Sequence, residues 1–172
     1  MKTPRMMTAL GLAGWLFGCA GHDSVTISEY TQVFEAQLEG LNSEQVAHFS
    51  EISTTTDVTR VAPAEFAHAE RMDDHLARMN RIVGGMMSCV DAAGSPFDAA
   101  GFAPIVHDLR SECDVHSVLM LSAHDMESAG LEETRHQNAV TKQMDKMWRQ
   151  LDAMMQSGSS SGSCSHCPSC GM

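Results

Sequence analysis

The chain reads as an all-α protein: an antiparallel up-down four-helix bundle with a flexible N-terminal tether and a disordered, cysteine-rich C-terminal tail. Three observations predict this. Long stretches carry apolar residues at helical spacing. No stretch alternates apolar and polar residues as a strand would, and no segment repeats. The breaks between the stretches are short, which favours neighbouring helices that run antiparallel.

The first helix is expected from about Ile27 to Ile52, on the spacing of Ile27, Tyr30, Phe34, Leu38 and Leu41. Ser53-Thr54-Thr55-Thr56-Asp57 is a poor helix interior and marks a loop. Pro63 sits near the start of the second helix, where its missing amide costs little. That helix is expected to reach about Val90, closed by Gly94, Ser95 and Pro96. Asp98 to Ala103 reads as an irregular link, and Pro104 opens a third helix to about Met126. Ser128-Ala129-Gly130 reads as a tight break, and the fourth helix runs from about Leu131 to Gln156. The expected organisation is a signal peptide over 1–18, a tether over 19–26, the bundle over 27–156, a Gly/Ser linker over 157–163 and a Cys/His tail over 164–172.

The N-terminus implies export. Lys2 and Arg5 precede an apolar run from Met6 to Phe17, which is too short to span a bilayer comfortably. The run ends in Leu16-Phe17-Gly18-Cys19, which resembles the lipobox of bacterial lipoproteins. The resemblance implies cleavage before Cys19 and a diacylglyceryl group on its thiol. Ala20 and Gly21 follow with no Asp at the sorting position, which by the same resemblance implies an envelope protein anchored at the outer membrane.

The chain of 172 residues has a net charge of -11. Loss of Lys2 and Arg5 with the signal takes the mature chain to about -13, because the first 18 residues hold no acid. Such a chain repels nucleic acid, so none is expected as a partner. The expected partners are the lipid anchor's membrane and a metal donor or acceptor protein. Aromatics make up only 5% of the chain, whereas Met reaches 14 and His 9. Thioether and imidazole suit copper, nickel or zinc better than calcium or magnesium.

The second helix carries His68, Met72, His75 and Met79 at steps of four, three and four, on one face. The third carries Cys113, His116, Met120 and His124 in a similar row, and the fourth offers His136, Met144 and Met147. If the second and third helices fold back tightly, His68 meets His124, Met72 meets Met120 and His75 meets His116. Such a column of imidazole and thioether would bind a soft metal, with copper favoured. The alternative is plain packing: Met fills cores, and a buried His is satisfied by one hydrogen bond. The protein would then be a structural or interaction protein of the envelope.

Of six cysteines, Cys19 belongs to the lipid. Cys89 and Cys113 are candidates for a disulfide, worth about 3 kcal/mol in the chain-entropy model. Bridging them would shift the third helix and break the His68/His124 column, so the two ideas compete. Cys164, His166, Cys167 and Cys170 place four good ligands in seven residues, suited to zinc or monovalent copper. Haem is a lesser option: Met and His are plentiful as axial ligands, but no CxxCH is present and aromatics are few.

Glu133 and His136 make an ExxH step on the fourth helix. Di-iron carboxylate bundles use two such steps plus further inward glutamates. A single step falls short of that set, so a di-iron enzyme is not expected. No HExxH, phosphate-binding glycine loop or nucleophile elbow occurs, so no catalytic activity is expected.

Overall fold

The computed structural model describes residues 26–90, 98–157 and 163–164. Its body is four helices: α1 (Ile27–Thr54), α2 (Val61–Met87), α3 (Phe102–Leu121) and α4 (Met126–Ser157). No helix among the described residues is long and apolar enough to cross a membrane. The lipobox run and Cys19 lie outside the described residues, as do His166, Cys167 and Cys170.

Local chemistry sets each helix end. Thr26 and Glu29 form a capping box at α1: the Thr26 hydroxyl accepts from the Glu29 amide, and the Glu29 carboxylate accepts from the Thr26 amide. The threonine run ends α1, the Thr55 amide donating back to Glu51 and Ile52. A short 3-10 turn, Val58–Arg60, leads into α2, with the Asp57 carboxylate accepting from the Thr59 amide and hydroxyl. Pro63 and Pro104 each stand at the third position of their helices, where an amide has no intrahelical acceptor to lose.

The third and fourth helices differ from expectation at their junction. The break falls at residues 122–125, not at Ser128 to Gly130. Asp125 caps α4 by accepting from the Ser128 amide at 2.8 Å. The Ala129 amide bonds the Asp125 carbonyl, so Gly130 lies inside the helix.

Side-chain pairs show that consecutive helices run antiparallel. Gln37 meets His75 and Glu44 meets His68 across α1 and α2. Asp73 meets Arg110, and Glu65 meets Ser117, across α2 and α3. Glu112 and Glu132 meet across α3 and α4 through Arg135. Gln45 meets Glu133 where α4 returns beside α1. Gly40 lets α1 approach α2 closely, since a Cβ there would stand 2.6 Å from the His75 ring.

The α2–α3 register corrects the expected column. Asp73 opposite Arg110 and Glu65 opposite Ser117 set His68 level with His116, about two turns from the His68/His124 pairing. Cys89 is disulfide-bonded while Cys113 is free, so the Cys89–Cys113 bridge does not form. The backbone of Cys89–Val90 (β1) instead pairs antiparallel with Ser163–Cys164 (β2), Cys89 opposite Cys164.

The apolar interior is split in two. A large cluster includes Phe34, Leu38, Leu41, Met72, Leu76, Met79, Leu109, Val140 and Met147. Phe34 and Phe102 meet in it edge to face at 4.7 Å. A small cluster at one end holds Ile52, Val61, Ala64, Met120 and Ala129. Every helix changes from one cluster to the other across a polar interval. These intervals are 45–48 in α1, 65–68 in α2, 112–117 in α3 and 132–136 in α4. A polar layer therefore lies between two dry ones.

Candidate metal centre

The layer takes one histidine from each helix: His48, His68, His116 and His136, none more than 1% exposed. Two buried carboxylates, Glu65 and Glu133, join them. Helical spacing explains the grouping. Glu65 and His68, and Glu133 and His136, stand three residues apart on their helices and so share a face.

His48 Nε2 lies 3.2 Å from Glu65 Oε2 and 3.3 Å from Glu133 Oε2. His116 Nε2 lies 3.2 Å and 3.3 Å from the same two oxygens. The four atoms thus close a ring of alternating nitrogen and oxygen. None of them satisfies hydrogen-bond alignment with any partner. Each nitrogen sits evenly between two oxygens and points at neither. A centre equidistant from ring atoms 3.2–3.3 Å apart lies about 2.0 Å from each if the ring folds to a tetrahedron and about 2.3 Å if it is flat. Metal bonds to imidazole and carboxylate, about 2.0 to 2.2 Å long, fall inside that interval.

His68 and His136 flank the ring. His68 stacks on His48, centroids 4.0 Å apart and planes 7° from parallel. His136 stacks on His116 at 3.8 Å and 6°. His68 Nε2 and His136 Nε2 are also buried with no hydrogen-bond partner. One ligand atom from each of His48, His68 and His116 lies within 4.8 Å of the others.

Outer carboxylates hold the rings. His68 Nδ1 donates to Glu44 Oε1 at 3.0 Å, and Arg71 Nε holds the other Glu44 oxygen at 2.7 Å. His116 Nδ1 donates to Glu132 Oε1 at 3.1 Å, with Arg135 bonded to both Glu132 oxygens. His136 Nδ1 is 3.6 Å from Glu112 Oε1, which Arg135 also pairs. The carboxylates behind His68 and His116 fix the tautomer that leaves Nε2 free as a lone-pair donor, whereas His48 Nδ1 and His136 Nδ1 are buried with no hydrogen-bond partner. The central carboxylates are held too: Ser117 donates to Glu65 Oε1 at 2.5 Å and Gln45 donates to Glu133 Oε1 at 3.1 Å.

Without an ion, protons replace it. Burial opposes a charge on His48 and His116, but Glu133 and Glu65 outweigh it and raise both to about 9. Burial likewise opposes charge on the carboxylates, yet the same two imidazoliums hold Glu133 down at about 2 and Glu65 lower still. His136 is pushed down to about 2 by burial and the His116 charge, and His68 is lowered by burial and the His48 charge. Two imidazoliums thus balance two carboxylates. A divalent ion would restore the same balance with all imidazoles neutral.

Of the residues expected from sequence, the structure gathers His68, His116 and His136. Met72, Met79, Met144 and Met147 pack in the large apolar cluster and Met120 in the small one. His75 is half-buried against Gln37, away from the centre, and His124 is exposed. No thioether joins the ring, so the Met rows are core and not ligands. Sequence reading missed His48, Glu65, Glu44, Gln45, Ser117 and Glu132. It also passed over the second ExxH step, Glu65-Phe66-Ala67-His68, the partner of Glu133–His136.

No family model, curated protein or solved structure matches the chain, so the reading of this centre rests on its geometry.

Proposed function

We propose that this protein holds a first-row transition metal in the bundle, on a chain exported and lipid-anchored through Cys19, and that it buffers the metal or passes it on in the envelope. The observation that carries the reading is the closed ring of His48, Glu65, His116 and Glu133, whose donor atoms alternate 3.2–3.3 Å apart, the spacing of ligands around one ion. Di-iron carboxylate bundles use two ExxH steps with a glutamate from each remaining helix. Here the remaining helices offer His48 and His116 instead. Imidazole and carboxylate suit iron, zinc, nickel or divalent copper. The case for monovalent copper rested on thioethers, and the centre has none. Two imidazoles and two carboxylates suit ferrous iron or zinc, with the stacked His68 and His136 beside that set.

Elemental analysis of the full-length protein purified from the envelope tests the reading. Stoichiometric metal that is lost in His48→Ala and Glu133→Ala supports it. Negligible metal after purification, together with no uptake of added ferrous, zinc or cupric ion, refutes it. A second reading has one observation in its favour, the internal charge balance of the metal-free layer. In that case the layer is a buried ionic network specifying helix register, and the same experiment decides between the two. A lipid label on Cys19, lost in Cys19→Ser, tests the anchor.

A further inference from the structure

Resting on that reading, we infer that the centre takes a single ion, and that Ser117 and Gln45 are the residues that set this number. A carboxylate most readily bridges two ions by offering one oxygen to each. Bridged pairs of ions lie roughly 3.5–4 Å apart. In this layer each central carboxylate keeps only one oxygen free of a hydrogen bond. Glu65 Oε1 accepts from the Ser117 hydroxyl at 2.5 Å, and Glu133 Oε1 accepts from the Gln45 amide at 3.1 Å. Both Oε2 atoms face the ring and have no hydrogen-bond partner.

The two locks come from opposite sides of the bundle. Ser117 on α3 secures a carboxylate of α2, and Gln45 on α1 secures one of α4. Each lock sits next to the ring in sequence: Ser117 follows His116, and Gln45 is one turn before His48. The helix faces that deliver the inner imidazoles therefore also withdraw the second oxygens. Ser117 and Gln45 touch no ion themselves; they are positioning residues acting through Glu65 and Glu133. With both locks set, the His48 and His116 imidazoles and two carboxylate oxygens face one position.

Cobalt(II) titration of the full-length chain, its accessible thiols alkylated to silence the tail, reads the number directly through the visible d–d bands. The expected endpoint is one equivalent, with an EPR signal of an isolated ion. The double variant Ser117→Ala/Gln45→Leu frees both oxygens and is expected to shift the endpoint to two equivalents with a spin-coupled pair. Ser117→Thr, which keeps the hydroxyl, stays at one. Two equivalents in the native chain overturn the inference while leaving a metal-binding function standing. One equivalent in a folded double variant overturns the role given to the locks. If the double variant loses its helical circular dichroism, the native endpoint and the single variants Ser117→Ala and Gln45→Leu decide. No cobalt bound by the native chain overturns the inference along with the reading beneath it.

Discussion

Glu65→Gln is the sharpest perturbation of the metal-free layer. The change keeps shape and removes one of the two charges facing His48 and His116, each 3.2 Å from Glu65 Oε2. His48 is held at about 9 against 6.5 for a free imidazole. Each tenfold change in proton affinity is worth about 1.4 kcal/mol, so the proton on such a histidine contributes on the order of 3 kcal/mol to folding. With a single carboxylate left, one imidazolium keeps its partner and the other does not. The sign follows from the raised value. The contribution is complete below about pH 6.5 and is lost as pH rises toward 9. Urea unfolding of chelator-treated protein at pH 6 is expected to show Glu65→Gln less stable by about 3 kcal/mol, in the range known for breaking a buried pair. At pH 9.5 the native layer keeps two carboxylates facing neutral rings, so the deficit closes or reverses. An equal deficit at both pH values, or none at pH 6, would refute the ion-paired account of the layer.

Three further outcomes are expected. Adding ferrous or cobaltous ion at a hundredfold excess over its Kd is expected to stabilise the bundle by about 2.7 kcal/mol, reversed by chelator; an unchanged denaturation midpoint counts against a folded-state site. Met72→Leu, Met79→Leu and Met120→Leu are expected to leave metal affinity unchanged at a cost under about 1.5 kcal/mol each, whereas Glu132→Gln weakens it about 10- to 100-fold, as isothermal titration would show. Cys113, whose thiol burial and the nearby Asp114 and Glu112 push to about 12, is expected to resist iodoacetamide in the native protein at pH 8 and to react once unfolded, read by mass spectrometry.

The fold was largely legible because helical apolar spacing is a local signal. Phe34, Leu38 and Leu41 announce α1, and two of the breaks carry poor helix formers. The junction before α4 was misplaced because Gly130 looked like a stop, while the Asp125 cap that starts the helix is a weaker mark. The centre was only half legible. The second and third helices were recognised as histidine carriers, yet their register depends on which residues meet across the bundle. Glu65 facing Ser117 and Asp73 facing Arg110 decide it, and no loop length reveals such contacts. His48 was missed because it continues the apolar row Phe34, Leu38, Leu41 and reads as core, which it is by burial but not by chemistry. The Glu65–His68 step was readable. Counting positions three before each histidine, rather than following the methionines, would have found Gln45, Glu65, Cys113 and Glu133 together.

The layered interior has a consequence for how the chain comes apart. The polar stratum draws on all four helices at one level and is sealed on both sides by hydrocarbon. An ion seated there would act as a rivet through the whole stack: the α1–α2 hairpin could not swing away from α3–α4 while the rivet holds. Entry and exit of cargo would then be tied to fraying at the thin end, where the small cluster of Ile52, Val61, Ala64, Met120 and Ala129, with Val58, Ala123 and Met126 against it, stands in the way.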